Sequence, residues 1–162
     1  MGIKFGTDGW RAIIGDEFTF ENVKIVAQAI ADYVHAHDAQ GRGLVVGYDT
    51  RFQGSRFADT VANVLAGNAI KVVLSQGPTS TPALSLSIKE RNLFGGIMVT
   101  ASHNPPSYSG IKYKAYYAGP ADSDIIKPIE ALLGKNPVRG AGDDAKSDGL
   151  IIRVDLNAPH KA

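Results

Sequence analysis

The residues most suited to chemistry lie in one short run, Thr100-Ala101-Ser102-His103-Asn104-Pro105-Pro106. It sets a hydroxyl beside an imidazole and stiffens the next residues with two consecutive prolines. A serine held on a rigid loop and open to solvent suits a nucleophile or a carrier of phosphate. Adjacent side chains of an extended segment point to opposite sides, so His103 need not be the base that activates Ser102. It can instead serve a substrate hydroxyl as general acid or base, because an imidazole titrates near neutral pH. The surroundings favour an anion. No Asp or Glu occurs from Arg91 through Ala121, whereas that window holds Arg91, Lys112 and Lys114. A serine-bound phosphate would bring about −1.5 to −2 charges into it. The plainer alternative is a surface Ser-His turn capped by prolines.

A second dense stretch is Phe5-Gly6-Thr7-Asp8-Gly9-Trp10-Arg11. Two glycines and an aspartate predict a tight turn that aims Thr7 and Arg11. Arg11 has the planar fork that clamps a phosphate through two N–H groups. The alternative is a structural turn with Trp10 as a core anchor. Other phosphate and hydrolase signatures are missing: no G-x-x-x-x-G-K-[ST], no G-x-G-x-x-G after a strand, no G-x-S-x-G. There is no cysteine, which excludes disulfides, thiolate-ligated metal and a cysteine nucleophile. No H-E-x-x-H occurs, and His35 and His37 read as solvated side chains at a helix end.

These stretches need a scaffold, and the apolar periodicity predicts one. After Thr19, a candidate N-cap, Val23, Val26, Ala27, Ile30 and Val34 fall on one helical face. Leu44–Tyr48 reads as a buried strand. A second helix follows Gly54-Ser55 and ends at Gly67-Asn68. Lys71–Leu74 is the next strand. Thr81-Pro82 opens a third helix that runs to about Arg91. Gly96–Thr100 is a further buried strand, and Ile111–Ala115 alternates like a half-exposed one. Asp122–Leu133 reads as a helix with Pro128 at a kink, and Leu150–Leu156 as a candidate last strand. The pattern predicts an α/β fold of three layers, α/β/α, with a mainly parallel mixed sheet. The link from Thr100 to Ile111 is too short for a helical crossover, so the strand after it runs antiparallel. Ligands of open α/β sheets sit beyond the carboxyl ends of the parallel strands. That leaves three candidate loops: Asp49-Thr50-Arg51, Gln76–Thr81 and Ala101–Gly110.

The 162 residues suit one domain, and 44% apolar with 20% charged residues excludes disorder and fibrous classes. The net charge of +1 gives no field toward nucleic acid or an anionic membrane. No apolar run nears the ~18 residues of a membrane span, and residues 1–8 lack the apolar stretch of a signal peptide. The expectation is a soluble cytoplasmic protein without nucleic-acid or membrane partners.

Phe5–Arg11, Thr100–Pro106 and Gly110-Ile111-Lys112, in this order and spacing, resemble the α-D-phosphohexomutases, nearest the phosphoglucomutase/phosphomannomutase branch. The resemblance runs from residue 3 to about residue 134. It implies that Ser102 is a phosphoserine that passes its phosphoryl group to a hexose monophosphate and regains one from the bisphosphate. Hexose 1-phosphate and hexose 6-phosphate of glucose or mannose are thereby interconverted. It implies Lys112 and Arg11 as charge donors, His103 in proton transfer and Thr7 in holding substrate. Mg2+ would bind one oxygen of phosphorylated Ser102, and hexose 1,6-bisphosphate would act as activator. The implied first domain has about four strands, one antiparallel, with Arg51 in a structural pairing near the serine loop. Residues 1–134 correspond to that phosphoserine domain, and 135–162 to its end and a truncated linker. The acidic D-x-D-x-D metal loop belongs to a second domain of the family. Asp122-Ser123-Asp124 and Asp143-Asp144 do not match it. The expected partners are therefore the phosphosugar and the remaining domains of the enzyme, and the isolated chain is expected to be inactive. Ser107 and Ser109 depart from the family's usual acidic residue and asparagine. The competing reading is a free-standing phosphosugar-binding module that transfers nothing.

Overall fold

Ten elements follow one another in a computed structural model that describes residues 2–6, 9–140 and 149–158. They are β1 (Trp10–Ile13), α1 (Phe20–Ala36), β2 (Leu44–Tyr48), α2 (Gly54–Gly67), β3 (Val72–Ser75), α3 (Thr81–Glu90), β4 (Gly95–Val99), β5 (Tyr108–Ala115), α4 (Ser123–Ala131) and β6 (Ile151–Val154). Local chemistry sets the helix starts. The Thr19 hydroxyl accepts the Asn22 N–H at 3.2 Å, and Ser80 does the same for Ala83. Pro82 lies in the first turn of α3, where a missing N–H costs nothing. All five residues of the predicted α1 stripe are shielded from solvent.

The strands form one sheet in the order β1-β5-β4-β2-β3-β6. Strand β2 pairs parallel with β3 and β4, and β3 with β6; β5 is antiparallel to both β4 and β1. The α/β class with a single antiparallel strand is as expected. Among the described residues the sheet has six strands rather than about four. The predicted turn ends at Arg11, and the four residues Trp10–Ile13 are too few to show a strand's period. Strand β5 is not half-exposed as its alternation suggests: only Tyr108 and Lys112 are partly open, and Lys114 is bridged by the returning chain at Pro120.

Alternation along the strands sorts the core into two layers. Leu44, Val46, Val72, Leu74, Ile97, Val99, Ile111 and Tyr113 face α1 and α2, with Ile126 and Ile129 of α4 in the same cluster. Val45, Val73 and Met98 face Leu84 and Ile88 of α3. Helix α3 sits close to the sheet because Gly47 and Gly96 have no side chain beneath it. A Cβ at either would stand 2.8–2.9 Å from side-chain atoms of Thr79, Leu84 or Val45. The large layer carries an aromatic chain. Trp10 stacks on Phe18, Phe18 meets Phe57 edge-on, and Phe57 stacks with Phe20, at centroid distances of 4.7, 4.7 and 4.5 Å. It ties β1 to α2 and α1, and so fixes the strand that carries Arg11.

Candidate active site

Strands β2 and β4 are parallel neighbours, with Tyr48 opposite Val99. The residues just past them, Asp49 and Thr100, are therefore placed side by side at the carboxyl end of the sheet. The Thr100 hydroxyl donates to Asp49 Oδ2 at 2.5 Å, and its oxygen accepts the Ser102 N–H at 3.0 Å. Asp49 Oδ1 accepts the Arg51 N–H at 3.1 Å, closing a turn that aims the Arg51 side chain back at the serine loop. The guanidinium then takes hold of that loop. Its Nη1 donates to the carbonyls of Pro105 and Tyr108 at 2.8 and 3.0 Å. Its Nη2 donates to those of Ser102 and Asn104 at 2.8 and 2.7 Å, and Nε lies 3.6 Å from Asp49 Oδ2. One planar fork thus orders four peptide groups of the loop.

Held in this way, Ser102 takes φ +52°, the left-handed region that a side chain other than glycine's seldom enters. Ala101 beneath it is buried, whereas Ser102 and His103 are exposed. A strained residue, over-determined by its neighbours and presented to solvent, marks a position where orientation matters more than local energy.

The N-terminal element reaches the same place. Arg11 stands on β1 opposite Gly110, and its Nη1 donates to Asn104 Oδ1 at 3.1 Å. Gly110 is where β1, the serine loop and β5 converge. A Cβ there would lie 2.5 Å from the Trp10 carbonyl oxygen and 2.6 Å from that of Thr100. Lys112, two residues on, shares the face of Gly110 and hence of Arg11. Helix α3 packs over β2 and β4 on this side of the sheet. On β1 and β5 the same face presents Arg11, Ile13 and Lys112 to the surface. Arg11 on β1 thus contacts the serine loop that carries Ser102 and His103, and Lys112 of β5 lies on the same face of the sheet as Arg11.

Residues 2–138 match the family model of the phosphoglucomutase/phosphomannomutase α/β/α domain I. The chain belongs to this family. Over 116 residues it is 39% identical to phosphoglucomutases of Staphylococcus saprophyticus and Staphylococcus aureus, covering 68% of this chain and 20% of theirs. A Thermus thermophilus structure described under the phosphomannomutase name superposes with a TM-score of 0.88 at 38% identity. That match covers 99% of this chain and 35% of the other. The phosphoglucomutase parafusin of Paramecium, in an open form, gives a TM-score of 0.76 at 28% identity, covering 88% of this chain and 28% of the other. The chain spans about a fifth of the length of the curated relatives it matches.

Several features of this domain I are not legible in its sequence. Residue types place Asp49 and Thr100 in candidate loops but do not pair them, since only the adjacency of β2 and β4 makes them partners. Arg51 holds the loop as expected, but through four backbone carbonyls, for which side-chain patterns give no signal. Thr7 lies outside the described residues. Lys114 is buried on the same face as Lys112, and burial, reinforced by the Lys112 charge, lowers its pKa. Among the described residues no group of three or more His, Asp or Glu could hold a metal ion. Nor is any described helix long and apolar enough to cross a membrane.

Proposed function

We propose that this chain is the phosphoserine domain of a mutase interconverting hexose 1-phosphate and hexose 6-phosphate, with Ser102 as the phosphoryl carrier. The observation that carries the reading is the meeting of Arg11 with the serine loop, in which an exposed Ser102 is fixed by Arg51. Phosphoryl transfer needs positioning and charge neutralisation more than covalent chemistry, and this region offers both.

In the proposed step a hexose hydroxyl oxygen attacks phosphorus and the bond to Ser102 Oγ breaks. The His103 imidazole accepts the hydroxyl proton, the leaving serine oxygen takes one proton from solvent, and the imidazolium returns its proton to solvent. The product is a hexose bisphosphate. After it turns over, its other phosphoryl group returns to Ser102 by the reverse path. Arg11 and Lys112 offset the charge on the transferring group, and Thr7 helps hold the sugar phosphate. Magnesium would neutralise phosphoryl charge. The described residues do not form a site for it, because Asp49, the acid beside the loop, is already engaged by Thr100 and Arg51. A phosphorylated Ser102 would supply one ligand oxygen. The sugar phosphate, the hexose 1,6-bisphosphate activator and further domains are the partners of this reading. The family model covers residues 2–138; residues 1–134 are proposed as the phosphoserine unit and 135–162 as its end and a linker, with β6 still paired to β3 in the sheet.

The test is Ser102→Ala in the enzyme that contains this domain. Mutase activity is expected to fall to background while the domain keeps its thermal transition. Exposure of the wild-type protein to hexose 1,6-bisphosphate, followed by peptide mapping, should place phosphate on Ser102. Near-normal turnover by the alanine variant would refute the proposal.

A further inference from the structure

Arg51 holds the carbonyls of Ser102, Asn104, Pro105 and Tyr108. In a planar trans peptide the N–H points opposite to the C=O, and no described peptide bond is cis. Each clamped carbonyl therefore turns the amide of the next residue away from the guanidinium. Two of those amides carry no N–H, because the residues after Asn104 and Pro105 are prolines. A third, that of Ser109, lies within β5 where Ser109 faces Ala12 of β1. The fourth belongs to His103. It lies at an exposed residue directly after Ser102 and has no acceptor among the described residues. The neighbouring amides are already engaged, Ser102 N–H on Thr100 Oγ1 and Asn104 N–H on the Ala101 carbonyl.

We infer that the His103 backbone N–H is a phosphoryl-oxygen donor, and that Arg51 is the positioning residue that aims it by holding the Ser102 carbonyl on the opposite side. The ligand is a phosphoryl group esterified to Ser102, so the inference rests on the proposed role of that serine. The prolines at 105 and 106 keep the rest of the clamp free of competing donors. All four Nη N–H groups of Arg51 are taken by loop carbonyls and its Nε faces Asp49, which separates its role from that of Arg11.

The experiment uses the full chain, 15N-labelled, with phosphoserine installed synthetically at position 102, and follows amide and 31P resonances through the second phosphate ionisation. The His103 amide proton should move downfield as the dianion forms, well beyond its neighbours. In Arg51→Lys and Arg51→Ala the movement should shrink, and the phosphate should titrate at higher pH because a donor to its dianion is lost. Unchanged resonances of β2 and β4 identify variants that keep the fold. Lysine keeps the charge without the fork, so a purely electrostatic effect of Arg51 would leave the lysine variant like wild type. That result, or a His103 amide indifferent to the phosphate, overturns the inference. Neither bears on whether Ser102 receives phosphate, which the mapping experiment reads separately.

Discussion

Replacing Arg51 by alanine isolates the clamp as a source of stability. The side chain is only 13% exposed and makes four charge-assisted bonds. The bonds to Pro105 and Ser102 lie at the surface, where water replaces a lost donor. The bonds to Tyr108 and Asn104 are shielded. Counting only those two, at the low end of about 1.5 kcal/mol each for a hydrogen bond from a charged group, the loss is about 3 kcal/mol. For a domain of this size that corresponds to a fall of roughly 6–12 °C in Tm. Arg51→Lys keeps a charge near Asp49, but one ammonium cannot span two pairs of carbonyls, so it should recover less than half of the loss. Urea denaturation followed by the fluorescence of Trp10, the sole tryptophan, measures both variants. The reasoning fails if alanine costs under about 0.5 kcal/mol, since surface changes without structural consequence fall in that range. It fails equally if lysine matches arginine.

Burial and Lys112 depress the pKa of Lys114 below its unfolded value, so between the two values the unfolded chain binds more protons and stability rises with pH. Below the folded value the charged amine opposes folding, so Lys114→Met should stabilise the domain at neutral pH and flatten its stability at alkaline pH. Denaturation midpoints at neutral and alkaline pH check both effects, and a methionine variant less stable at neutral pH contradicts the burial argument. Phe57→Ala opens the aromatic chain between Phe18 and Phe20 and should cost about 3–5 kcal/mol. It should also perturb the Trp10 emission through the stacked Phe18; unchanged emission would mean the rings do not act as one packed unit.

The local elements are legible because short-range chemistry dictates them. Thr19 caps α1 where its position predicts, and Pro82 stands in the opening turn of α3. The α1 stripe is buried, and the polar link between Thr100 and Ile111 forces β5 to run antiparallel. The serine loop, Arg11 and Lys112 are legible as a motif, because their residue types match the handling of phosphate wherever they lie. Strand β1 is not. Four residues carry too little periodicity, and its pairing with β5 is a contact between segments far apart in the chain.

Residue types alone supply the inventory: the helices, the buried strands, the α/β class, and a hydroxyl, an imidazole and cations as candidates for the site. The tertiary structure decided how they act together. Asp49 and Thr100 are 51 residues apart and meet at 2.5 Å only because β2 and β4 are neighbours in the sheet. Arg51 finds its four carbonyls for the same reason, and backbone carbonyls are identical in every sequence. Strand order and peptide orientation are collective outcomes of packing both faces of the sheet at once, and no window of residue types records them.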